Sequence, residues 1–495
     1  MKQNKPNFIV FMTEHQKGDT LLSDNPIIKP NVDAFREKAV TFTHAYCPSP
    51  HCCPSRATFF SGLYPSQHGV WNNVNVSNCL SRGLYDGVQI FSSDMKNDGY
   101  DLFFSGKWHV SAVQGPDEFG FEKLFHPDGY RSYPNKPNAD EWNYYTKNTA
   151  AYANPPESRE TAQVIRPGYP LYTQYGVTEN PFGDMQIVGA ALDKLKELKD
   201  TENPFLMYIG INGVHDPYYV PQRFLDMYPE DKDYLPPSFD DTMEDKPALY
   251  RRTQSRFNQL TREEHNECVR RYYAYCTYVD WQFGRILEQA EESGFNLDNT
   301  VVMYLSDHGD YAGAHGLWAK GLPCFLEAYN VCSMIGGRGI ANGGSTDDRF
   351  VSLADYAPTI LELAGINACR SFAGSSLAPV LHGEEPENWR SEVYTQSNGN
   401  EIYGIQRAVW DKKWKYVFNA FDFDELYDLE NDPHEMKNLL CGIDRPEISE
   451  YADIVRHMCT LMWQFAYDHG DNCVNPYIMT AMAPYGPGII FEEKQ

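Results

Sequence analysis

The chain has 495 residues, with 42 Lys+Arg against 68 Asp+Glu and a formal net charge of −26. That balance excludes a nucleic-acid binder, which needs a basic face to meet phosphates, and argues against docking on an anionic membrane surface. A hydrophobic share of 42% and an aromatic share of 14% exclude a disordered chain, and a chain this long can bury a large core without disulfide staples.

The first six residues are polar, and the apolar run Phe8–Met12 is too short for a signal-peptide core or a membrane span. With the twelve cysteines scattered, free thiols and a cytoplasmic location are expected. Residues 7–13 read as a strand buried on both faces, ending in Glu14-His15. Pro30-Asn31 opens a helix with Val32, Phe35 and Ala39 inward. In Cys52-Cys53-Pro54-Ser55-Arg56, Pro54 suits a first helical turn and Gly62 the helix end. Cys52 then sits at a helix N-terminus, where unpaired N–H groups favour an anion, and Arg56 adds a permanent charge one turn in. A weaker strand over 100–105 leads into Lys107 and His109. Residues 115–184 and 231–259 are loop-like, the first rich in Tyr, Pro and Asn.

An amphipathic stripe at Met185, Val188, Leu192 and Leu195 precedes a strand over 204–211, which leads into His215. A second stripe at Tyr275, Val279, Phe283, Ile286 and Ala290, closed by Gly294, precedes a strand over 300–306 ending in Asp307-His308. Strands alternating with helices indicate an α/β fold: a large, mostly parallel sheet sandwiched by helices, over residues 1–385. Past Glu385 the alternation weakens. Residues 409–418 and 425–429 read as strands of a short antiparallel sheet in a smaller α+β unit over 386–495, whose last two dozen residues are rich in Pro and Gly. In a parallel sheet, ligands bind beyond the carboxyl ends of the strands. Ionisable groups end four strands here, and carboxylates and imidazoles from different strands suit a divalent cation.

The segments Asn7 to Asp19, Cys52 to Gly69, Gly106-Lys-Trp-His109, His215-Asp-Pro217, Ser306-Asp-His-Gly309, His315 to Lys320, Leu353 to Gly365 and Glu425 to Leu429 occur in one order along most of the chain. In this the sequence resembles the type I (formylglycine-dependent) sulfatase family, a branch of the alkaline-phosphatase-like superfamily. The resemblance implies that a maturase oxidises Cys52 to formylglycine, whose hydrate is the nucleophile beside a metal. It implies that Asp307 and His308 are metal ligands and that Arg56, Lys107, His109, His215 and Lys320 ring the sulfate. Lys107 and Lys320 would hold sulfate oxygens, His215 or Lys320 would protonate the departing alcohol, and His109 would act as the closing base. Relatives place Asp first in the first metal pair, often followed by Asp or Gln. Here Glu14 is expected to bind, one methylene longer, while His15 either ligates or lines the pocket. Calcium is the expected metal, with magnesium or manganese as alternatives.

The reaction so implied is hydrolysis of a sulfate ester, on a sulfated sugar or another small organic sulfate. A phosphonate monoester or phosphodiester hydrolase on the same scaffold is the nearest alternative, and an inactive anion-binding protein is one of another class. The expected partners are the substrate and the maturase, with no nucleic acid and no membrane; a homo-oligomer is compatible. The Tyr/Asn-rich insertions at 125–180 and the tail at 475–488 either line the mouth of the site or are ordinary loops.

Overall fold

Four uninterrupted apolar runs must be covered on both faces, and in the computed structural model they lie side by side at the centre of one sheet. The structure describes residues 5–76, 78–126, 159–165, 172–368, 370–400, 402–474 and 483–492. The sheet strands are β1 (Asn7–Thr13), β2 (Ala39–Phe42), β3 (Asp101–Gly106), β4 (Glu122–Phe125), β5 (Phe205–Gly210), β6 (Thr300–Ser306), β7 (Ser333–Gly337) and β8 (Thr346–Asp347). Their spatial order is β8-β2-β7-β6-β1-β5-β3-β4. β7 alone runs against its neighbours, so the sheet is mostly parallel as expected.

The covering helices are α1 (Pro30–Arg36), α2 (Cys52–Ser61), α3 (Phe91–Asn97), α4 (Asp184–Leu198), α5 (Arg262–Glu292) and α6 (Tyr356–Leu363). Alternate side chains of β1 enter different cores. Phe8, Val10 and Met12 pack with α2, α3 and α6, whereas Ile9 and Phe11 pack with α1, α4 and α5. This two-sided burial explains why the strand reads as a continuous apolar run.

Two element boundaries differ from expectation. α5 begins at Arg262, three turns before the apolar stripe at Tyr275. Thr261 accepts from the Glu264 N–H and Glu264 reaches back to the Thr261 N–H, a reciprocal cap present as T-x-x-E in the sequence. The run over 409–418 is two strands, because Asp411 Oδ1 accepts from the N–H groups of Lys413 and Trp414 and turns the chain between them. The resulting strands β10 (Tyr403–Trp410) and β11 (Trp414–Asn419) lie between β9 (Val393–Gly399) and β12 (Glu425–Asp428) in an antiparallel sheet of order β9-β10-β11-β12. α7 (Ala452–Asp468) packs on this sheet, and Tyr416, Phe418, Met458 and Trp463 share a third core.

Most of the insertion at 125–180 (127–158 and 166–171) and much of the tail (475–482) lie outside the described residues. Among the described residues, no helix is long and apolar enough to cross a membrane.

Candidate active site

Strand register places the polar strand ends at one level. Thr13 pairs with Ser306, Met12 with Gly210, and Gly210 with Gly106. Glu14-His15, Asp307-His308, the turn to His215 and the turn to Lys107 therefore leave the sheet together. Gly309 permits the close approach behind this edge: a Cβ there would lie 1.9 Å from the Glu327 carbonyl oxygen.

Cys52 is the first residue of α2, fully buried, at a terminus that no side chain of the preceding His51 caps. Gly62 ends the helix at φ 71°, and its N–H donates to the Thr58 carbonyl. A Cβ on Gly62 would come within 2.5 Å of Phe372, so both space and backbone require glycine. The Cys52 thiol donates to Glu14 Oε1 at 3.0 Å, and His308 Nε2 lies 3.3 Å from its sulfur. The Lys107 ammonium pairs with the same Glu14 oxygen, and His215 Nε2 is 3.9 Å away.

Arg56, one turn into α2, is wholly buried. Its Nε donates to Asp307 Oδ2 at 2.9 Å, and one terminal nitrogen donates to the Lys107 carbonyl and the Tyr208 hydroxyl, each at 3.0 Å. Asp307 Oδ1 accepts the His308 N–H at 2.9 Å, and His308 Nδ1 lies 2.8 Å from the Gly309 carbonyl oxygen. An Arg56→Ala variant is expected to lose about 3–5 kcal/mol of stability, because it leaves Asp307 buried without its counter-charge. A denaturant midpoint equal to the parent's would contradict that.

The electrostatics follow from these contacts. Burial would raise the Glu14 carboxyl, but Lys107, His215, Arg56 and Lys320 outweigh it and hold the group well below the usual carboxylate range. Burial also opposes ionisation of Cys52, yet Lys107 and Lys320 bring its thiol below the ordinary value. His308 is held above the ordinary imidazole value: burial opposes its charge, but Asp307 and the Cys52 sulfur dominate. His109 and His15 are pushed well down, by burial first and then by neighbouring lysines.

Glu14, Cys52, Asp307 and His308 bring one ligand atom each within 4.8 Å of one another. Glu14 Oε2 is buried and has no hydrogen-bond partner. An orphaned carboxylate oxygen among two further hard donors and a polarisable one fits a divalent cation. Residues 14, 15, 52 and 215 form a second such group, and His15, Asp216 and Asp310 a third. His15 lies in the middle of the imidazoles, its ring centroid 4.1 Å from that of His215 and 4.6 Å from that of His308. Lys320 Nζ is 3.4 Å from His215 Nε2 and also contacts His15 Nε2. His109 is partly exposed, at φ 55°, with Nε2 2.8 Å from Asn75 Oδ1 and Nδ1 buried without a partner. Every candidate residue named from the sequence thus lies at this edge.

Sequence reasoning misses Asp310, which contacts His15, although it closes the run Ser306-Asp-His-Gly-Asp310. It also misses Tyr208, whose hydroxyl holds Arg56 from the middle of a strand. A cavity of about 660 Å³ opens from His51, His215 and Lys320, with Arg256, Phe257 and Asn400 on its walls.

Comparison with known proteins points to one family. The family model described as Sulfatase matches residues 6–366, and that described as N-sulphoglucosamine sulphohydrolase, C-terminal, matches residues 313–465. The chain is 28% identical over 483 residues to a choline-sulfatase of Rhizobium meliloti, covering 92% of this chain and 87% of that protein. It is 25% identical to the human (Homo sapiens) N-acetylglucosamine-6-sulfatase, over 99% of this chain and 90% of that one. Its fold matches the crystal structure of a phosphonate monoester hydrolase of Agrobacterium radiobacter, with a TM-score of 0.72, 20% identity and coverage of 94% and 96%.

Proposed function

The chain belongs to the sulfatase family, and from that premise we propose that it hydrolyses the sulfate monoester of a sugar or another small organic alcohol, using an oxidised Cys52 and one divalent metal. The observation that carries the reading is the environment of Cys52: a buried thiol at a helix N-terminus, touching Glu14 and His308 and flanked by two lysines. Such a site presents a nucleophile to an anion that the acidic surface would otherwise repel, because the positive groups are concentrated here.

Glu14, Asp307 and His308, with the side chain at position 52, would hold the metal. When bound, it supplies a Lewis acid that binds a sulfate oxygen and lowers the pKa of the attacking hydroxyl. The two carboxylates suit calcium, which is the expected ion, with magnesium or manganese as alternatives. Oxidised to formylglycine and hydrated by one water, position 52 would supply two geminal hydroxyls, one to attack sulfur and one whose proton is removed so that sulfate leaves and the aldehyde returns.

The chain's own side chains do the rest. Lys107 and Lys320 bind and orient the sulfate oxygens with their ammonium groups. Arg56 is anchored through Nε and one terminal nitrogen by Asp307, Tyr208 and the Lys107 carbonyl, while its other terminal nitrogen is buried without a partner, so it holds the frame, adds field and keeps a donor for a sulfate oxygen. His215 Nε2, beside Lys320, is placed to give a proton to the departing alcohol. His109, kept neutral by burial and Lys107, has an unoccupied Nδ1 to take one up.

A sugar substrate is supported by the cavity walls. Phe257 and Trp318 line it beside the amides of Asn73 and Asn400, and such a mixture of aromatic and amide side chains suits a sugar ring and its hydroxyls. The human relative is an N-acetylglucosamine-6-sulfatase and the bacterial one a choline-sulfatase, which spans the two substrate classes.

The phosphonate hydrolase fold match keeps that chemistry as the second reading. Protein co-expressed with a formylglycine-generating maturase should therefore be assayed side by side on an aryl sulfate, an aryl phosphonate and an aryl phosphodiester. The expected result is the highest kcat/KM on the sulfate; a higher value on the phosphonate would replace the reading.

A further inference from the structure

The second residue of the first strand-end pair is one of two positions there at which the sequence differs from the pattern of the family it resembles, and its surroundings define what it does. His15 is fully buried, at φ 59°, directly beyond β1. Its carbonyl accepts from the Tyr272 hydroxyl of α5 at 2.9 Å, so its backbone is pinned from the helical layer. Its ring Nδ1 lies 2.8 Å from Asp310 Oδ2, and its Nε2 contacts the Lys320 ammonium. An ammonium has only donors. Nε2 must therefore present its lone pair to Lys320, which leaves the proton on Nδ1 to be donated to Asp310. Both ring nitrogens are then engaged, and neither has a lone pair left for a metal.

Asp310 is anchored in turn. It is fully buried, its Oδ1 accepts the Ala312 N–H at 2.8 Å, and the Tyr218 hydroxyl lies 3.0 and 2.9 Å from its two oxygens. Tyr218 is itself buried, edge-on to Tyr272 at 5.7 Å and 90°. A rigid aromatic wall thus fixes the carboxylate, the carboxylate fixes the imidazole, and the imidazole holds a lysine that has four rotatable bonds of its own.

We infer that Asp310 and His15 are positioning residues for Lys320, forming a chain Asp310–His15–Lys320 that aims the ammonium at the substrate's sulfate, and that His15 is not a metal ligand. The inference rests on the reading of Lys320 as a sulfate-binding group. It also accounts for the sequence departure. A second carboxylate at position 15 would add a ligand, whereas a histidine between a carboxylate and a lysine adds an orienting contact. Glu14, Asp307, His308 and the position-52 side chain then bind the cation alone.

The test uses maturase-converted full-length protein and the variants His15→Leu, which removes every donor atom at that position, Asp310→Asn, Lys320→Met and the double variant His15→Leu/Lys320→Met. Three quantities are read: metal content by elemental analysis, affinity for inorganic sulfate by calorimetry, and kcat/KM on whichever aryl ester the parent turns over. His15→Leu and Asp310→Asn are expected to keep the parent's metal content while losing about 10- to 100-fold in kcat/KM, the range seen when a supporting hydrogen-bond partner is removed. Sulfate affinity is expected to fall in both variants, as it does in Lys320→Met. In the Lys320→Met background the histidine change should cost little more, since a residue acting through the lysine has nothing left to hold.

Loss of metal from His15→Leu, with Asp310→Asn retaining it, would make His15 a ligand and overturn the inference. So would full additivity in the double variant, which marks a role independent of Lys320. Asp310→Asn, alone and combined with Lys320→Met, supplies the additivity comparison if His15→Leu does not fold. A parent that turns over only the phosphonate would sink the sulfatase reading while leaving metal content and the double-variant comparison readable. A parent that turns over neither ester would still be decided by metal content and by sulfate affinity across the four variants.

Discussion

Cys52→Ala is expected to remove turnover altogether, by roughly a millionfold, the scale on which losing a covalent nucleophile is felt in hydrolases. The change is structurally mild. Alanine is a strong helix former, and the thiol it removes sits at the first position of α2, where no intrahelical bond depends on it. A folded but inactive variant is therefore expected, with thermal unfolding close to the parent's. Cys52→Ser sharpens the test. A serine can attack sulfur once, breaking the ester S–O bond and releasing the alcohol, but it carries no second hydroxyl whose proton can be withdrawn to expel sulfate. The expected readout is at most one equivalent of alcohol per protein and no turnover. Peptide mass spectrometry of active parent protein should find an aldehyde, and not a thiol, at position 52. Steady turnover by either variant, or an intact thiol in a fully active sample, would refute the mechanism.

Glu14→Ala is the second large effect. Glu14 is the hub of the site: it accepts from the Cys52 thiol, pairs with Lys107, lies 3.9 Å from His215 and keeps one buried oxygen unpartnered. Removing it deletes the carboxylate supplied by the first strand and leaves the half-buried Lys107 ammonium without its partner. Both metal retention and turnover should fall to background, the first read by elemental analysis and the second on the aryl ester. Glu14→Gln keeps the volume and removes only the charge, so it separates loss of a ligand from loss of packing. Unchanged metal content in both variants would remove Glu14 from the ligand set. Chelation of the parent should likewise abolish activity, and the ion that restores it (calcium, magnesium or manganese) identifies the native metal.

Much of this site is legible in the amino-acid sequence. A strand buried on both faces must be apolar throughout, so Asn7–Thr13, Phe205–Gly210 and Thr300–Ser306 stand out, and the first ionisable residue after each marks the sheet edge. The helix opening at Cys52 is readable for a local reason too, since Pro54 and Gly62 act through their own backbone preferences. The capping pair Thr261 and Glu264 is equally local, but it is easily missed because the apolar stripe of α5 is clearest from Tyr275 onward. The turn at Asp411 is hidden because two short strands of one hairpin read together as a single apolar run.

Local chemistry by itself determined which residues could reach the carboxyl edge of the sheet, where the helix N-terminus would lie, and that a carboxylate-rich site would sit beside a cysteine. The tertiary structure alone decided which of those groups meet. Arg56 is anchored by Asp307, 251 residues away, and by Tyr208 on another strand, with its second terminal nitrogen left without a partner. His15 could have bound metal on its sequence position, but its two nitrogens are shared out between Asp310 and Lys320, 295 and 305 residues further along. The physical reason is register. Pairing Thr13 with Ser306 and Met12 with Gly210 sets the strand ends at one height to within a residue, and a slip of one residue would turn each side chain to the opposite face. That pairing is fixed by the packing of two separate cores against the sheet, which no local stretch of the chain encodes.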